Sequence, residues 1–449
     1  MKIRKQGFAM LLISSCLALI NSSLYGQEKL QFTLEQAQRY GIEHSYLSQS
    51  ASMEVQKSKR KVKETIAMGL PQVNATGNYQ KYLELPVQLV PAESFGGARG
   101  EYVEFTFGTE QQMGVDIRAT QLLFDGSYFV GLQASRVYLE LTKNDKEKTE
   151  TEVKQMIAQA YGNVLVTEEN AEILSLNIVN LKKNLDETKA LYESGFAEEQ
   201  DRDQLELLLA NAKSAYDQAS RLIEISRNQL KFAMGIDIEN EIELLDGIDE
   251  VTLESTDEDY LNNDFDIKSH IDYKLVATQK EASKLLWKQQ RSTYLPSLNA
   301  FYSYQQNSYS SKFDFLDEAR WFPTQTIGLN LSVPIFSGFE RNNKVQQAKI
   351  DFEIAELVEK QLTQKLQIDI ANARSEYTFA LSQFQTSKQN IKLAERIYHK
   401  MQTKYEEGVS TSLELTQANE QLLNTQSSYI NAAIQLINAK SNLDKALNK

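Results

Sequence analysis

The fragment Tyr192-Glu193-Ser194-Gly195 returns 213 positions later as Tyr405-Glu406-Glu407-Gly408. At the same offset, Ile157-Ala158-Gln159-Ala160 matches Ile370-Ala371-Asn372-Ala373. Two further pairs of fragments match upstream in the same order: Leu70-Pro71 with Leu295-Pro296, and Phe124-Asp125-Gly126 with Phe336-Ser337-Gly338. Matches that keep their order along a chain indicate an internal duplication. The sequence therefore consists of two copies of one unit.

Each copy contains two segments in which apolar and polar residues alternate. They lie at about residues 71–82 and 112–123 in the first copy, and 296–306 and 325–336 in the second. This alternation predicts strands with one apolar and one polar face. The residues assigned to the polar face include Asn74, Asp116, Arg118 and Asn330. A soluble, half-buried sheet would alternate in the same way, but the strand length and the aromatic residues near the loop ends favour a membrane barrel.

Four strands are too few to close a barrel, because the smallest membrane barrels have about eight. An open sheet edge in lipid would leave backbone groups without hydrogen bonds, at several kcal/mol each. If these strands cross a membrane, the protein must be an oligomer that combines the strands of several copies.

A very long helical stretch follows each strand pair, at about residues 126–192 and 338–405. In the second copy, Ile370, Tyr377 and Phe384 recur every seven residues, as in a coiled coil. Gly195 and Gly408 should end these helices, because glycine accepts the left-handed conformation. A second helix then returns in each copy, at about residues 199–234 and 411–447. The predicted fold is mainly α, with two repeats of strands and helical hairpins and a contribution to a transmembrane β-barrel.

The amino terminus is typical of a secretory signal peptide. A basic start precedes a short apolar run, and a small residue, Gly26, marks a plausible cleavage point. The predicted signal peptide is residues 1–26. An alternative is a lipoprotein signal, Ile13-Ser14-Ser15-Cys16, which would leave Cys16 acylated.

Acidic residues are concentrated between the two copies. Residues 236–267 hold thirteen Asp or Glu residues and no Lys or Arg, and the whole chain has a net charge of −13. We interpret this segment as a solvated, partly ordered linker between a first repeat at 27–235 and a second at 268–449, rather than as a cation site. An acidic chain also argues against a nucleic-acid partner.

Together, the signal peptide, the duplication, Leu-Pro before the odd strands, Phe-x-Gly after the even strands and Tyr-x-x-Gly at the hairpin tips resemble the TolC family. These proteins are outer-membrane factors of tripartite efflux and type I secretion systems. The resemblance covers essentially the whole chain after the signal peptide. It implies a homotrimer with a twelve-stranded barrel in outer-membrane lipid and a helical tunnel in the periplasm. It also implies a periplasmic adaptor and an inner-membrane pump as partners.

The resemblance also implies site residues at the hairpin tips. Asp201 and Glu414, six residues beyond the tip glycines, match acidic positions that constrict the periplasmic end in that family, whereas the family's next aspartate is Gln417 here. The alternative is that both charges only stabilise helix N-termini. The tip residues that match the adaptor-docking region are Gly195, Phe196, Gly408 and Val409.

Signals for catalysis are missing from the sequence. The histidines His44, His270 and His399 lack the spacing of metal ligands, and no nucleophile–base pattern or phosphate loop is found. We therefore expect no enzyme activity, no cofactor and no metal. Two classes of function remain: an outer-membrane conduit that is passive and gated at its tip, and a soluble periplasmic coiled-coil adaptor or scaffold. The alternating strands favour the conduit.

Overall fold

The computed structural model describes residues 30–253, 265–315 and 320–448. The predicted signal peptide, Cys16 and part of the acidic segment lie outside the described residues. The chain forms two compact units, and each draws on both sequence copies. Among the described residues, the helical unit contains 30–51, 147–253, 265–266 and 366–448, and the strand unit contains 52–146, 267–315 and 320–365.

The first copy contains, in order, β1 (Leu30–Phe32), α1 (Leu34–His44), α2 (Tyr46–Ala67), β2 (Gln72–Lys81), β3 (Val87–Pro91), β4 (Tyr102–Thr106), β5 (Gln111–Asp125), α3 (Gly126–Glu193) and α4 (Glu199–Met234). The helix α3 is 68 residues long. It begins directly after β5, where the Asp125 carboxylate accepts a hydrogen bond from the Tyr128 backbone N–H at 3.0 Å.

The segment between the copies contributes β6 (Ile242–Leu244) and α5 (Ile248–Leu253), and the second copy contains α6 (Ile271–Ser292), β7 (Ser297–Ser310), β8 (Trp321–Ser332), α7 (Glu340–Glu406) and α8 (Ser412–Ala446). The helix α7 has 67 residues. The predicted mainly α fold, with two strands followed by a long helical hairpin in each copy, is confirmed. None of the helices in the described part of the chain combines the length and apolar character needed to cross a membrane.

The strand unit is built on a four-stranded antiparallel sheet with the order β2-β5-β7-β8. Its register brings residues of like polarity together across all four strands. Asn74 lies opposite Arg118, Arg118 opposite Ser303, and Ser303 opposite Thr326. The next residues along the strands form the other face, where Ile117 lies opposite Tyr304. The sheet therefore has one continuous polar face and one largely apolar face.

Two features of the strands differ from the expectation. The loop predicted between the first two long strands contains a small antiparallel hairpin of β3 and β4. Its strands are only five residues each, too short for the alternation to stand out. The last strand, β8, also begins and ends earlier than the predicted range of 325–336.

The acidic segment contains ordered elements where the structure describes it, at residues 236–253 and 265–267. Its first strand, β6, pairs in parallel with β1 near the start of the chain. Ile242, Ile248 and Val251 are buried in the core of the helical unit. Isoleucine and valine side chains spaced between the acids supply enough apolar surface to fix this segment, whereas charge alone suggested a linker.

Tyr161 connects this segment to the start of the chain. Its buried hydroxyl lies 3.0 Å from the Phe32 carbonyl oxygen and 3.1 Å from the Asp246 carboxylate. That carboxylate also accepts a hydrogen bond from the Leu34 backbone N–H at 2.6 Å. Burial raises the pKa of the Tyr161 phenol, so the hydroxyl stays protonated. The contacts join β1, α3 and the residues after β6 in one core.

Candidate functional site

The hairpin tips have the same backbone geometry in both copies. Gly195 has φ +79° and Gly408 has φ +71°, both in the left-handed region. The Phe196 N–H donates to the Leu191 carbonyl at 2.8 Å, and the Val409 N–H donates to the Lys404 carbonyl at 2.8 Å. These bonds form Schellman motifs, which satisfy the last carbonyls of α3 and α7. The side chains of Phe196 and Val409 are largely exposed at the two tips.

Asp201 and Glu414 occupy equivalent positions in the first turns of α4 and α8. The Asp201 carboxylate accepts a hydrogen bond from the Glu198 backbone N–H at 3.0 Å. The Glu414 carboxylate accepts one from the Thr411 backbone N–H at 2.9 Å. Each is therefore the third helical residue of a capping box. Within one subunit, both acids stabilise helix N-termini, which is the alternative role that the sequence left open.

The two tips differ in what else these acids contact. The Ser412 hydroxyl, on α8, donates a hydrogen bond to the Asp201 carboxylate. Ser412 is buried, whereas Glu414 is exposed. Asp201 thus links the start of the return helix in the first copy to the start of the return helix in the second. Sequence reasoning missed Ser412, because its partner lies 211 residues away and no local pattern marks it.

Behind the tips, polar side chains join the first helix of one copy to the helices of the other. The Asn184 amide of α3 donates to the Tyr398 hydroxyl of α7 at 3.0 Å. The Asn177 amide of α3 donates to the Gln426 side-chain oxygen of α8 at 2.8 Å. The Asn177 and Asn184 side chains are buried, so their hydrogen bonds contribute more than exposed ones would. The two hairpins are held in a specific register in this region.

The four predicted polar-face residues lie on one face of the strand sheet. Asn74 and Arg118 are directly opposite each other on β2 and β5. Asp116 accepts a hydrogen bond from the Ser303 hydroxyl at 2.5 Å. Asn330 lies opposite Asn299 on the neighbouring strand. The structure therefore places all four on a surface that is polar across the whole sheet.

The opposite face of the sheet is apolar and uncovered in the subunit. Ile327 of β8 is 84% exposed, and Leu329 and Leu331 are also largely exposed. Val73 on β2 and Ile117 on β5 continue this surface. A contiguous exposed apolar surface of this kind marks a face that contacts lipid or another protein.

Comparison with known proteins finds a family match for part of the chain and solved structures with the same fold. Residues 275–449 match the family model described as Outer membrane efflux protein. The fold is similar to that of the outer membrane protein VceC from Vibrio cholerae (TM-score 0.67, 15% identity, covering 92% of this chain and 96% of that one). It is also similar to the Campylobacter jejuni CmeC outer membrane channel (TM-score 0.69, 16% identity, covering 92% and 85%). The open-state Neisseria gonorrhoeae MtrE outer membrane channel matches with a TM-score of 0.66 at 17% identity, covering 92% and 88%.

The sequence match to the outer membrane efflux protein family covers residues 275–449, and the similarity to the solved channels shows that the whole chain has their fold. No curated protein sequence matches it. One position near the second tip departs from the pattern of the TolC family that the sequence resembles. Gln417 is exposed on α8 where the resemblance implies a second acidic position. Asp201 and Glu414 are thus the acids to be tested as constriction residues.

One residue of the polar face was missed for a physical reason. Phe301 of β7 lies on this face, opposite Thr120 and Gly328. It interrupts the alternation of β7, so the sequence pattern gave no reason to assign it to either face. Its ring lies under the Arg118 guanidinium, whose central carbon is 4.5 Å from the ring centroid.

Proposed function

We propose that the protein is a subunit of an outer-membrane channel, the passive exit duct of a tripartite efflux or type I secretion system. The observation that carries this proposal is the four-stranded sheet with one polar face and one exposed apolar face. In water, such an apolar face would cost about 25 cal/mol for each Å² left exposed. Contact with lipid removes this cost, and the polar face, with Asn74, Asp116, Arg118 and Asn330, then lines the lumen.

Closure of the barrel supports a homotrimer. The edges of the sheet are β2 and β8, and neighbouring strands are antiparallel throughout. Because the order is β2-β5-β7-β8, β8 of one copy and β2 of the next would also be antiparallel. Three copies then give a closed twelve-stranded barrel, in which no edge remains unpaired in lipid. The helical hairpins extend into the periplasm in this arrangement.

The hairpin tips are the proposed docking site for a periplasmic adaptor, which connects the channel to an inner-membrane pump. Support comes from the apolar side chains of Phe196 and Val409, which are exposed next to the tip glycines. Buried apolar anchors of this type contribute much of the affinity in protein–protein interfaces. In this proposal the channel is passive and the inner-membrane pump supplies the energy.

The proposed gate consists of Asp201 and Glu414, in addition to their capping role. The test is a double variant, Asp201→Asn with Glu414→Gln, because both amides keep an oxygen that accepts the capping hydrogen bond. We expect a higher single-channel conductance in planar bilayers than for the wild type. Glu206→Gln, which removes a charge from an exposed position on α4, is the matched control. Equal conductance in all three proteins would limit both acids to capping.

The channel itself is tested by fractionation and reconstitution. We expect the full chain in the outer-membrane fraction, released only by detergent, and we expect stepwise conductance when it is reconstituted. Recovery from the periplasm without detergent would instead support a soluble adaptor or scaffold and overturn the channel.

A further inference from the structure

Arg118 and Phe301 form a contact between a cation and an aromatic ring on the polar face. The guanidinium carbon lies 4.5 Å from the centroid of the ring, within the range of a cation–π interaction. The ring itself needs Gly328: a Cβ atom at that position would lie 2.7 Å from Phe301 Cζ. The absence of a side chain at residue 328 therefore lets the ring lie flat across β8. Phe301 is a positioning residue for Arg118.

The charge of Arg118 is available to a ligand. Among the described residues, no acidic side chain lies within ion-pair distance of its guanidinium. Asp116 is two residues away on the same strand, but its carboxylate is directed to the Ser303 hydroxyl at 2.5 Å. Arg118 is exposed, whereas Asp116 is partly buried. One face of the guanidinium is covered by Phe301, and its other face and its N–H groups are open.

A second pair of the same kind lies towards the loop end of this face. The Arg320 guanidinium carbon is 5.2 Å from the centroid of the Phe322 ring. Tyr309 lies beside that ring, with the two centroids 6.2 Å apart. Phe322 is opposite Asn307, six residues along β7 from Phe301. At about 3.4 Å per residue, the two pairs are separated by roughly 20 Å along the polar face.

We propose that this face carries a binding path for anionic aromatic solutes, with Arg118–Phe301 and Arg320–Phe322 as its two contact points. A planar guanidinium can donate two parallel hydrogen bonds to a carboxylate or sulfonate and also stack on an aromatic ring. A lysine provides charge alone. The inference rests on the proposed function, since the face must line a lumen for a solute to reach it. In a trimer each contact point occurs three times around the lumen.

The experiment measures block of the current through the reconstituted full-length channel. The probes are benzenesulfonate and propanesulfonate, which carry the same charge but differ in the aromatic ring. For the wild type we expect benzenesulfonate to block at a lower concentration than propanesulfonate. Arg118→Lys and Phe301→Leu should each raise the benzenesulfonate concentration for half-block by about two- to five-fold, the range expected for an exposed cation–π contact. Propanesulfonate block should change little in both variants.

Lys81→Gln is the matched control, because it removes one positive charge from the end of β2, on the other face of the sheet. It should leave the preference for the aromatic probe unchanged. Conducting channels that are blocked equally by the two probes would overturn the binding path and leave the channel intact. A loss of preference in Lys81→Gln as large as in Arg118→Lys would overturn it as well. Failure of the wild type to conduct at all would instead count against the proposed function.

Discussion

The first helices of the two hairpins, α3 and α7, are copies of each other, yet some equivalent positions on one face have opposite environments. Val166 of α3 is 2% exposed, whereas its equivalent Phe379 of α7 is 62% exposed. Asn184 is 2% exposed and bonded to Tyr398, whereas its equivalent Ile397 is 43% exposed. The face of α3 is covered by helices of the second copy. The same face of α7 has no such cover within the subunit and presents large apolar side chains.

In the proposed homotrimer, this difference suggests a place for the neighbouring subunit. A duplicated chain that forms a ring can repeat its internal contact between copies at each contact between subunits. The face of α7 around Phe379 and Ile397 would then contact the first copy of the next subunit. This contact would be equivalent to the one that α3 makes with the second copy inside its own subunit. This extends the proposed homotrimer from the strands to the helices and can be tested one side chain at a time.

The largest effect is expected for Phe379→Glu. The variant places a carboxylate at the centre of the proposed interface, and an unpaired buried charge costs several kcal/mol. Because Phe379 is exposed in the subunit, the helix content of the variant should match the wild type while the trimer dissociates. Sedimentation in detergent together with circular dichroism measures both properties.

Gln385→Glu is the control for that experiment. It adds the same charge at an exposed position of α7, on another side of the helix. The trimer should persist in this variant. If Phe379→Glu also sediments as a trimer, the exposed face of α7 is not a subunit contact.

A smaller effect is expected for Tyr398→Phe, which removes a hydroxyl group that contacts the covered face of α3. The variant leaves the buried Asn184 amide without the hydroxyl that now accepts its hydrogen bond at 3.0 Å. The loss in unfolding free energy should be about 1–3 kcal/mol, measured by urea denaturation. Adding Asn184→Leu together with Gln402→Leu should restore part of it, because Gln402 donates to the Asn184 side-chain oxygen at 3.3 Å and no polar group of this cluster then lacks its partner. A triple variant that is less stable than Tyr398→Phe would show that the unpaired amide is not the cause.

Equivalent substitutions at the two hairpin tips should have similar effects on stability, in contrast to substitutions on the equivalent faces of α3 and α7. Gly195→Ala and Gly408→Ala each place a side chain at a left-handed φ, at a cost of about 1–2 kcal/mol. We expect both variants to lower the urea midpoint by similar amounts. Gly247→Ala is the control, because a Cβ atom there meets no atom within 4 Å and its φ is not left-handed. Unequal losses would contradict the prediction and would mean that the contacts by which the tips differ, such as that of Asp201 with Ser412, affect one glycine more than the other.

The smallest effect is expected for Lys183→Gln, which removes a surface ion pair between the copies. The Lys183 ammonium lies 3.1 Å from the Glu406 carboxylate, and this hydrogen bond raises the lysine pKa above its ordinary 10.5, with help from Glu187. A raised folded-state pKa means that the stabilisation is complete below the unfolded pKa and is lost as pH rises through the folded one. The slight advantage of the wild type over the variant should therefore begin to fall above about pH 10.5 and be lost as the pH passes the higher folded-state pKa. Thermal unfolding at pH 8 and pH 11 checks this, and an advantage that grows with pH would contradict it.

The parts of the fold that the sequence predicted are those with local signals. The long helices follow from heptads and the absence of proline, and the tips follow from Gly195 and Gly408. The pairing of β1 with β6 could not be predicted, because each strand has only three residues and its partner lies some 210 positions away. Phe301 was missed because an aromatic residue on a polar face breaks the alternation by which a face is recognised. The contact between Asp201 and Ser412 depends on how the two copies pack, which no local pattern encodes.

The buried core of the helical unit has a consequence for the order of folding. It contains Phe32 from near the start of the chain and Leu447 from near its end, with the acidic segment between them. Contacts between residues so distant in sequence form late, because loop closure must come first. During synthesis and export, residue 32 emerges long before residue 447. The core therefore stays incomplete until almost the whole chain is available, and during that interval the exposed apolar surface must be protected from aggregation.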